Sequence, residues 1–329
     1  MPNLSIVYHT GGLGDFITAF PAISAWNSRN KGFRKILLGK PSYGILGIHA
    51  GPFDEVWDAE SAAFSWLYSP EMLIPESAIK KFLQIASALL FASHDSPVVA
   101  RFRDWGTKHL LFQDPFPQQR IHISAYHLSL VKKDSRTIRS KGYPVVPHPG
   151  FKNKADRLLD GIGRFIAIHP GSGSGIKNWP VKKFEALAGM IREKGFHIVW
   201  VAGPAEEDMS SPSTDMVIRN AALPLLVHIF ARSCLYVGND SGISHLAAAC
   251  GAPSVVLFGP SDPVVWKPLG KKVNIVFKNQ DSCFPCHSSA GRGLKSKDAQ
   301  EACKNFCMNN ISVFEVFDAC KRTMKMERK

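Results

Sequence analysis

The sequence predicts an α/β protein of two similar domains, each with a parallel sheet and crossover helices. Two observations support this fold class: short apolar runs alternate with longer mixed segments, and the alternation occurs in both halves of the chain. A length of 329 residues with 45% hydrophobic content is sufficient for two ordinary cores. Two such halves leave a cleft between them, and ligands of parallel sheets bind outside the carboxyl ends of the strands.

The first half opens with a strand predicted over residues 4–8 and a helix predicted over 15–27, joined by a glycine-rich loop. Further strands are predicted over 35–38 and 55–57, and apolar residues recur at helical spacing over 77–91. Basic residues and then prolines fill positions 131–150, a composition typical of an extended crossing between domains. We therefore assign the first domain to residues 1–150.

The second half, residues 151–311, repeats the alternation more clearly. Its strands are predicted over 164–168, 197–201, 235–237 and 254–258. Helices are predicted over 181–194 and 243–250, and each is followed by a glycine that can end it, Gly195 and Gly251. An amphipathic basic helix is predicted at the end of the chain, within residues 312–329.

The first glycine-rich loop is Gly11-Gly12-Leu13-Gly14-Asp15, at the carboxyl end of the first predicted strand. Glycines let the backbone approach a ligand closely, and the start of a helix offers free N–H groups. Asp15 is a candidate general base, because a carboxylate can take the proton of an attacking hydroxyl. The alternative is that Asp15 only stabilises the start of the helix.

Two later loops are candidates for holding phosphate. One contains Gly171, Ser172 and Gly173 and is followed by Lys177, whose charge suits a diphosphate leaving group. The alternative for this loop is an ordinary flexible turn.

The other phosphate candidate is the loop after the strand predicted at 235–237. It contains Asp240, Ser241 and Gly242 and leads into a short helix with His245 in its first turn. Asp240 and Ser241 have a simple alternative role as helix caps, and His245 one as a structural histidine. Glu206, after the strand predicted at 197–201, is a candidate acceptor for a ribose diol or an ordinary surface glutamate.

The cysteines offer a separate hypothesis. Cys283 and Cys286 form one close pair, and Cys303 and Cys307 form another, a spacing that resembles structural zinc ligands. Thiols without a metal are the alternative. Seven cysteines in a chain without a signal peptide argue against a disulfide framework.

The overall charge favours polyanionic partners. Lysine and arginine number 40 against 27 acidic residues, for a net charge of +13. Nucleic acid, an anionic membrane surface and a phosphorylated substrate all fit the charge, but no nucleic-acid-binding module accompanies it. No stretch approaches the ~20 apolar residues needed to span a bilayer. We therefore expect a cytoplasmic protein with, at most, peripheral membrane contact.

Taken together, the motifs resemble the heptosyltransferase family, glycosyltransferase family 9, which builds the inner core of lipopolysaccharide. The resemblance rests on motifs spread over most of the chain: Gly12-Leu13-Gly14-Asp15, Ile168-His169-Pro170-Gly171-Ser172 with Lys177-Asn178-Trp179-Pro180, Gly203-Pro204-Ala205-Glu206, Asn239-Asp240-Ser241-Gly242-Ile243-Ser244-His245 and Leu257-Phe258-Gly259-Pro260-Ser261-Asp262-Pro263.

The resemblance implies a GT-B fold: two Rossmann-like domains facing a central cleft, with the C-terminal helix packing back towards the first domain. It implies inverting transfer of heptose from ADP-heptose, without a catalytic cofactor, to a lipopolysaccharide-type acceptor. Asp15 matches the family's catalytic base and Lys177 its phosphate-binding lysine. The nucleotide contacts fall on Gly14, Ser172, Glu206, Asp240, Ser241, Gly242 and His245.

Basic residues at 132–141 and at the C-terminus fit an anionic membrane face, at about 1 kcal/mol each. Two other readings of the same motifs stay open: another GT-B nucleotide-sugar enzyme, such as an epimerase, and a non-catalytic nucleotide-binding protein.

Overall fold

The computed structural model describes residues 3–48, 51–69, 71–132, 143–206, 215–278 and 306–325. The chain divides into two compact units. The first comprises Met1–Pro117 with Ile123–Arg139, and the second comprises Gln118–His122 with Ser140–Lys329. A five-residue segment from the first half of the sequence therefore belongs to the second unit. The domain limits expected from the sequence stay predictions.

The first unit is a five-stranded parallel sheet with helices. Its strands are β1 (Leu4–His9), β2 (Arg34–Gly39), β3 (Glu55–Asp58), β4 (Ile85–Phe91) and β5 (His109–Gln113), in the order β3-β2-β1-β4-β5. Its helices are α1 (Leu13–Arg29), α2 (Pro41–Ile48), α3 (Glu76–Phe82), α4 (Pro97–Asp104) and α5 (Ile123–Val131). Central strands buried on both faces explain why their sequences are nearly continuous apolar runs.

The interpretation of residues 77–91 as a segment of helical spacing is wrong in its second half. Only Glu76–Phe82 is helical, and Ile85–Phe91 is the central strand β4. All but one residue of β4 are buried, so its apolar side chains follow neither a two-residue nor a helical period. Sequence periodicity cannot separate such a strand from a buried helix.

The second unit is a six-stranded parallel sheet. Its strands are β6 (Phe165–His169), β7 (His197–Ala202), β8 (Met216–Arg219), β9 (Leu235–Asn239), β10 (Ser254–Phe258) and β11 (Val273–Phe277), in the order β11-β10-β9-β6-β7-β8. Its helices are α6 (Lys152–Leu158), α7 (Val181–Arg192), α8 (Leu223–Arg232), α9 (Gly242–Ala249), α10 (Pro263–Trp266), α11 (Phe306–Asn310) and α12 (Val313–Met324). Short 3-10 turns cover Pro149–Phe151, Gly175–Lys177 and Pro204–Glu206.

The glycines predicted to end α7 and α9 do so. Gly195 and Gly251 have φ angles of +77° and +86°, a left-handed conformation that glycine adopts without a steric penalty. The last helix, α12, starts with a capping box between Ser312 and Glu315 and buries Val316 and Cys320 in the core of the second unit. Its expected return to the first domain stays a prediction.

Candidate functional site

The strand order of the second unit creates a crevice between two neighbouring strands. From β6 the chain proceeds to β7 and β8 on one side, and from β9 to β10 and β11 on the other. The connections after β6 and β9 therefore leave the sheet in opposite directions, and a crevice opens at the carboxyl ends between them. The two loops predicted to hold phosphate are those that border this crevice.

The side chain of Asn239 joins the two loops. Its Nδ2 donates to the carbonyl of Pro170 at 2.6 Å, and its Oδ1 accepts from the backbone N–H of Trp179 at 3.0 Å. Within the β6 loop, the Ser172 hydroxyl donates to Oδ1 of Asn178 at 2.6 Å and accepts from the backbone N–H of Ser174 at 3.2 Å. Both ends of the loop are therefore fixed before any ligand arrives.

Lys177 and Asp240 form an ion pair at the crevice. The Lys177 ammonium lies 2.8 Å from Oδ2 of Asp240, and the two side chains are 25% and 7% exposed. The Ser261 hydroxyl, from the loop after β10, donates to the same oxygen at 2.5 Å. Burial alone would raise the pKa of the Asp240 carboxyl, but Lys177 and Ser261 outweigh it and hold the pKa below its usual value. The Asp240 carboxyl is therefore ionised, and it orients the Lys177 ammonium.

The N-terminus of α9 is held by a network of hydroxyls. Ser241 is the N-cap and accepts from the backbone N–H of Ser244. Ser244 Oγ donates to the carbonyl of Asn239 at 2.5 Å, so the Tyr236 hydroxyl, 2.9 Å away, is the donor to Ser244. This network fixes the direction in which the helix presents its first N–H groups, which is the property an anion site needs.

The predicted residue His245 lies beneath this helix end. It is 5% exposed, and burial lowers its pKa to about 4, against the opposing influence of Asp240. A histidine in this state is neutral at physiological pH and contributes no positive charge to the crevice. Its place favours the structural role over direct contact with phosphate.

Glu206 and Gly171 are in close contact. The Glu206 carboxylate accepts from the backbone N–H of Gly203 at 2.8 Å. A Cβ atom built at Gly171 would lie 1.9 Å from Oε1 of Glu206. Position 171 therefore needs glycine because of the glutamate beside it, and the Glu206 carboxylate lies directly against the β6 loop.

In the first unit, Asp15 lies one turn into α1, at the carboxyl end of β1. Its Oδ2 accepts from the backbone N–H of Gly12 at 3.1 Å, so the helix-start interpretation holds for this contact. A Cβ atom at Gly12 would lie 3.3 Å from that oxygen, and one at Gly11 would lie 3.0 Å from the His9 ring. The two glycines make room for a carboxylate with a fixed orientation, and Gly14 sits among them in the first turn.

His9 was not among the site residues predicted from the sequence. It ends β1, is 5% exposed, and its ring packs between Phe16 and Phe91 at centroid distances of 5.4 and 5.5 Å. Burial, followed by the nearby His127, lowers its pKa to about 3. A neutral imidazole therefore lies beneath the loop that carries Asp15; its place directly before the glycine run is the only sequence signal for it.

Residues 118–122, which belong to the second unit, lie beside its loops. Arg120 forms an ion pair with Asp262, which is 3% exposed and caps the start of α10 by accepting from the backbone N–H of Val264 at 2.9 Å. His122 contacts the carbonyl of Lys267 at 2.9 Å. Asp262 follows the strand β10, so this segment is part of the same carboxyl edge.

The zinc hypothesis has no support. Cys283, Cys286 and Cys303 lie outside the described residues, and Cys307 is buried in α11. Within the described ranges, no cluster of three or more histidine, cysteine or acidic side chains could hold a metal ion. Also within those ranges, no helix is both long enough and apolar enough to cross a bilayer.

A parallel-sheet crevice with a glycine-containing loop, a lysine and a fixed helix N-terminus is the arrangement typical of phosphate sites in nucleotide-binding proteins. The model of glycosyltransferase family 9 (heptosyltransferase) matches residues 84–295, which is more than half of the chain. The chain belongs to this family.

Individual relatives agree with the family. Lipopolysaccharide heptosyltransferase 3 of Escherichia coli is 26% identical over 151 residues, which cover 43% of this chain and 42% of that protein. The chain thus matches less than half the length of this relative.

Solved structures agree with the fold. A glycosyl transferase family 9 protein from Veillonella parvula aligns with a TM-score of 0.78 at 14% identity, covering 99% of this chain and 98% of that one. The E. coli ADP-heptose lps heptosyltransferase II aligns with a TM-score of 0.74 at 14% identity, covering 98% of both chains. The predicted α/β class with two parallel sheets is confirmed.

Proposed function

We propose that this protein is an inverting glycosyltransferase that moves a heptose from ADP-heptose to an inner-core lipopolysaccharide or similar glycan acceptor. Membership of the heptosyltransferase family supports the class of reaction. The donor is supported by the name of the structural relative, an ADP-heptose lps heptosyltransferase. The crevice of the second unit supplies the chemistry that a nucleoside diphosphate needs.

In this proposal the diphosphate binds at the crevice between β6 and β9. Gly171, Ser172 and Gly173 present backbone on one side, and the α9 N-terminus at Ser241 and Gly242 presents N–H groups on the other. Lys177 changes partner when the donor binds, from the Asp240 carboxylate to a phosphate oxygen. Asp240 keeps the ammonium in place until then, and Glu206 accepts hydrogen bonds from the ribose diol.

The proposed chemical step is a single displacement at the anomeric carbon. The acceptor oxygen forms the new bond to that carbon, and the proton of its hydroxyl passes to the Asp15 carboxylate. The bond between the anomeric carbon and the diphosphate oxygen breaks, and ADP carries away the electron pair. The negative charge that develops on the leaving oxygen is stabilised by Lys177 and by the dipole of α9. Attack from the face opposite ADP inverts the configuration.

The observation that carries the proposal is the ion pair between Lys177 and Asp240 at the strand crevice, 2.8 Å long and largely shielded from water. We predict that Lys177→Ala weakens ADP-heptose binding about tenfold to a hundredfold, because one charge-assisted bond to phosphate is lost.

Asp15→Asn is predicted to keep the donor Kd within about tenfold while kcat falls at least a thousandfold. Calorimetry gives the Kd, and mass-shift detection of a truncated core acceptor gives the turnover.

Lys182→Ala is the matched control, since Lys182 is an exposed lysine in the same unit. Equal donor binding by the Lys177→Ala protein and the control would contradict the phosphate role of Lys177. Near-normal turnover by Asp15→Asn would remove Asp15 as the base. Release of free ADP without an acceptor would favour an epimerase-like enzyme, and donor binding without turnover in the unmodified protein would favour a non-catalytic nucleotide-binding protein.

The acceptor is proposed to be an anionic lipid-linked glycan met at the cytoplasmic face of the inner membrane. The net charge of +13 supports peripheral attraction to such a surface. Vesicle co-sedimentation at rising salt measures this attraction. Binding that is unaffected by salt would argue against an electrostatic contact.

A further inference from the structure

A second basic cavity lies in the second unit, away from the Lys177 crevice. Its volume is about 560 Å³, within the range of small-molecule sites. Strand β11, at the edge of the sheet, and the C-terminal end of α12 form its walls. Four cationic side chains and two uncharged polar ones are central to it: Lys267, Lys272, Arg322, Lys325, Asn274 and Thr323.

Within the part of the chain that the structure describes, the four cations have no counter-charge. No acidic side chain among those residues lines the cavity, and none of the four cations forms an ion pair with them. The acids of α12 are already paired with other lysines: Glu315 with Lys278 at 2.9 Å and Asp318 with Lys321 at 2.7 Å. Converging like charges without a counter-charge repel one another and oppose folding, so an external anion would stabilise this arrangement.

Stabilisation of the helix end does not account for the whole cluster. Arg322 and Lys325 lie in the last turn and at the C-cap of α12, where cations favour the helix dipole. Lys267 and Lys272 belong to neither of these positions: they follow α10 and precede β11. Cations from two separate parts of the chain, the connection between α10 and β11 and the end of α12, therefore meet at one cavity.

The cavity is separate from the proposed donor site. Lys272 and Val273 lie at the amino end of β11, whereas the Lys177 crevice is formed at the carboxyl ends of β6 and β9. All strands of this sheet run parallel, so the wall that β11 gives to this cavity lies at the opposite end of the sheet from the Lys177 crevice. The donor diphosphate cannot be the anion that this cavity takes.

We propose that this cavity binds a phosphate-bearing ligand as a second anion site of the protein. Phosphate groups offer several acceptor oxygens and more than one negative charge, which four cations and the polar groups of Asn274 and Thr323 can match. The ligand is either a soluble phosphate compound or the headgroup of an anionic lipid. The inference does not depend on the glycosyltransferase proposal, since it uses none of the residues of that mechanism.

The test is inorganic pyrophosphate binding to the full chain, measured by calorimetry in a Lys177→Ala background so that the contribution of the proposed donor site is reduced. Adding Lys272→Ala and Arg322→Ala is expected to weaken binding at least tenfold. The control adds Lys182→Ala and Lys194→Ala, which remove the same charge from exposed positions elsewhere in the unit, and is expected to change binding less than twofold.

A second arm uses vesicles of phosphatidylcholine with phosphatidylglycerol. Loss of vesicle binding in the cavity variant, but not in the control, identifies a lipid headgroup as the source; selective loss of pyrophosphate binding identifies a soluble phosphate. The proposal is overturned if neither probe binds, or if the cavity pair and the control pair weaken both probes equally. Loss of ADP-heptose turnover has no bearing on either arm.

Discussion

Gly171 illustrates how one residue type can be dictated by a neighbour distant in sequence. Its φ is not in the left-handed region, so backbone conformation does not require glycine there. The requirement comes from the Glu206 carboxylate, which occupies the space of a Cβ atom. Because glycine is required at position 171 by the contact with Glu206 and not by its φ angle, changing both residues tests this explanation.

We predict that Gly171→Ala destabilises the protein by about 1–3 kcal/mol, as overpacking does, or displaces Glu206. In a Glu206→Ala background the same glycine change should cost less than about 0.5 kcal/mol, because the clash is gone. Urea unfolding of the four proteins gives the coupling free energy. Gly173→Ala, in the same loop with nothing within 4 Å of the added atom, is the control and should be neutral. Additive costs for Gly171 and Glu206 would contradict the contact.

The sequence predicts which residues lie in the loops of this site, but not which of them contact one another. Gly171, Ser172, Lys177 and Ser241 were predicted at the edge where they lie, because glycine and hydroxyl residues directly follow apolar strands. The pairing of Lys177 with Asp240 joins residues 63 positions apart. Such a contact depends on which strands become neighbours, and one sequence carries no signal for that choice.

At the scale of elements, the N-terminus of helix α9, the proposed anion site, is oriented by buried hydroxyls below it. Tyr236 is fully buried, and its hydroxyl supports Ser244 inside the first turn. Gly238 leaves room for that hydroxyl, since a Cβ atom there would lie 2.3 Å from it. The orientation of the helix start is therefore set from inside the unit.

We predict that Tyr236→Phe costs about 1 kcal/mol of stability, the usual net value of one hydrogen bond, and weakens ADP-heptose binding a few-fold. The matched control is Tyr68→Phe in the first unit, whose hydroxyl donates to the carbonyl of Ala59 at 2.9 Å. The control should lose about 1 kcal/mol or less, because Tyr68 is partly exposed, without any change in donor Kd. Thermal unfolding and calorimetry provide both readouts. Equal donor Kd values for the two variants would show that Tyr236 has no part in aligning α9.

The elements themselves differ in how far the sequence predicts them. Strands β6, β9 and β10 were predicted to within two residues, because glycine-rich loops mark their ends. Strand β4 was assigned to a helix because its side chains are buried on both faces and show no period of two. Local sequence patterns identify a strand that ends at a glycine-rich turn. They do not identify a strand such as β4, which is recognised only from its pairing with neighbouring strands.

At the scale of the whole molecule, each unit buries a neutral histidine beside its candidate site. The pKa of His9, near His127 and Lys40, is lowered by burial to about 3. The pKa of His245, near Asp240, His122 and Lys177, is lowered by burial to about 4. Below the ordinary histidine pKa of 6.5, the unfolded chain takes up protons at these positions and the folded protein does not.

Stability is therefore predicted to fall as the pH drops from about 6.5 towards 4, by up to about 1.4 kcal/mol per pH unit for each histidine. His9→Phe should flatten this decline, because the unfolded chain then has one group fewer to protonate. His94→Asn, at an exposed histidine, is the control and should leave the slope unchanged. Urea midpoints measured from pH 4 to pH 7 give the slopes. An unaltered slope in His9→Phe would mean that His9 accepts a proton in the folded protein.

The segment Gln118–His122 has a consequence for how this protein can be taken apart. Its Arg120 forms an ion pair with Asp262, which is almost fully buried, yet residues 123–139, which belong to the first unit, separate the segment from the rest of its own unit. A gene fragment beginning after residue 140 would encode the second sheet but omit this counter-ion. The second unit therefore cannot be transferred as one continuous stretch of sequence, and hybrids that exchange it between family members must carry residues 118–122 with it.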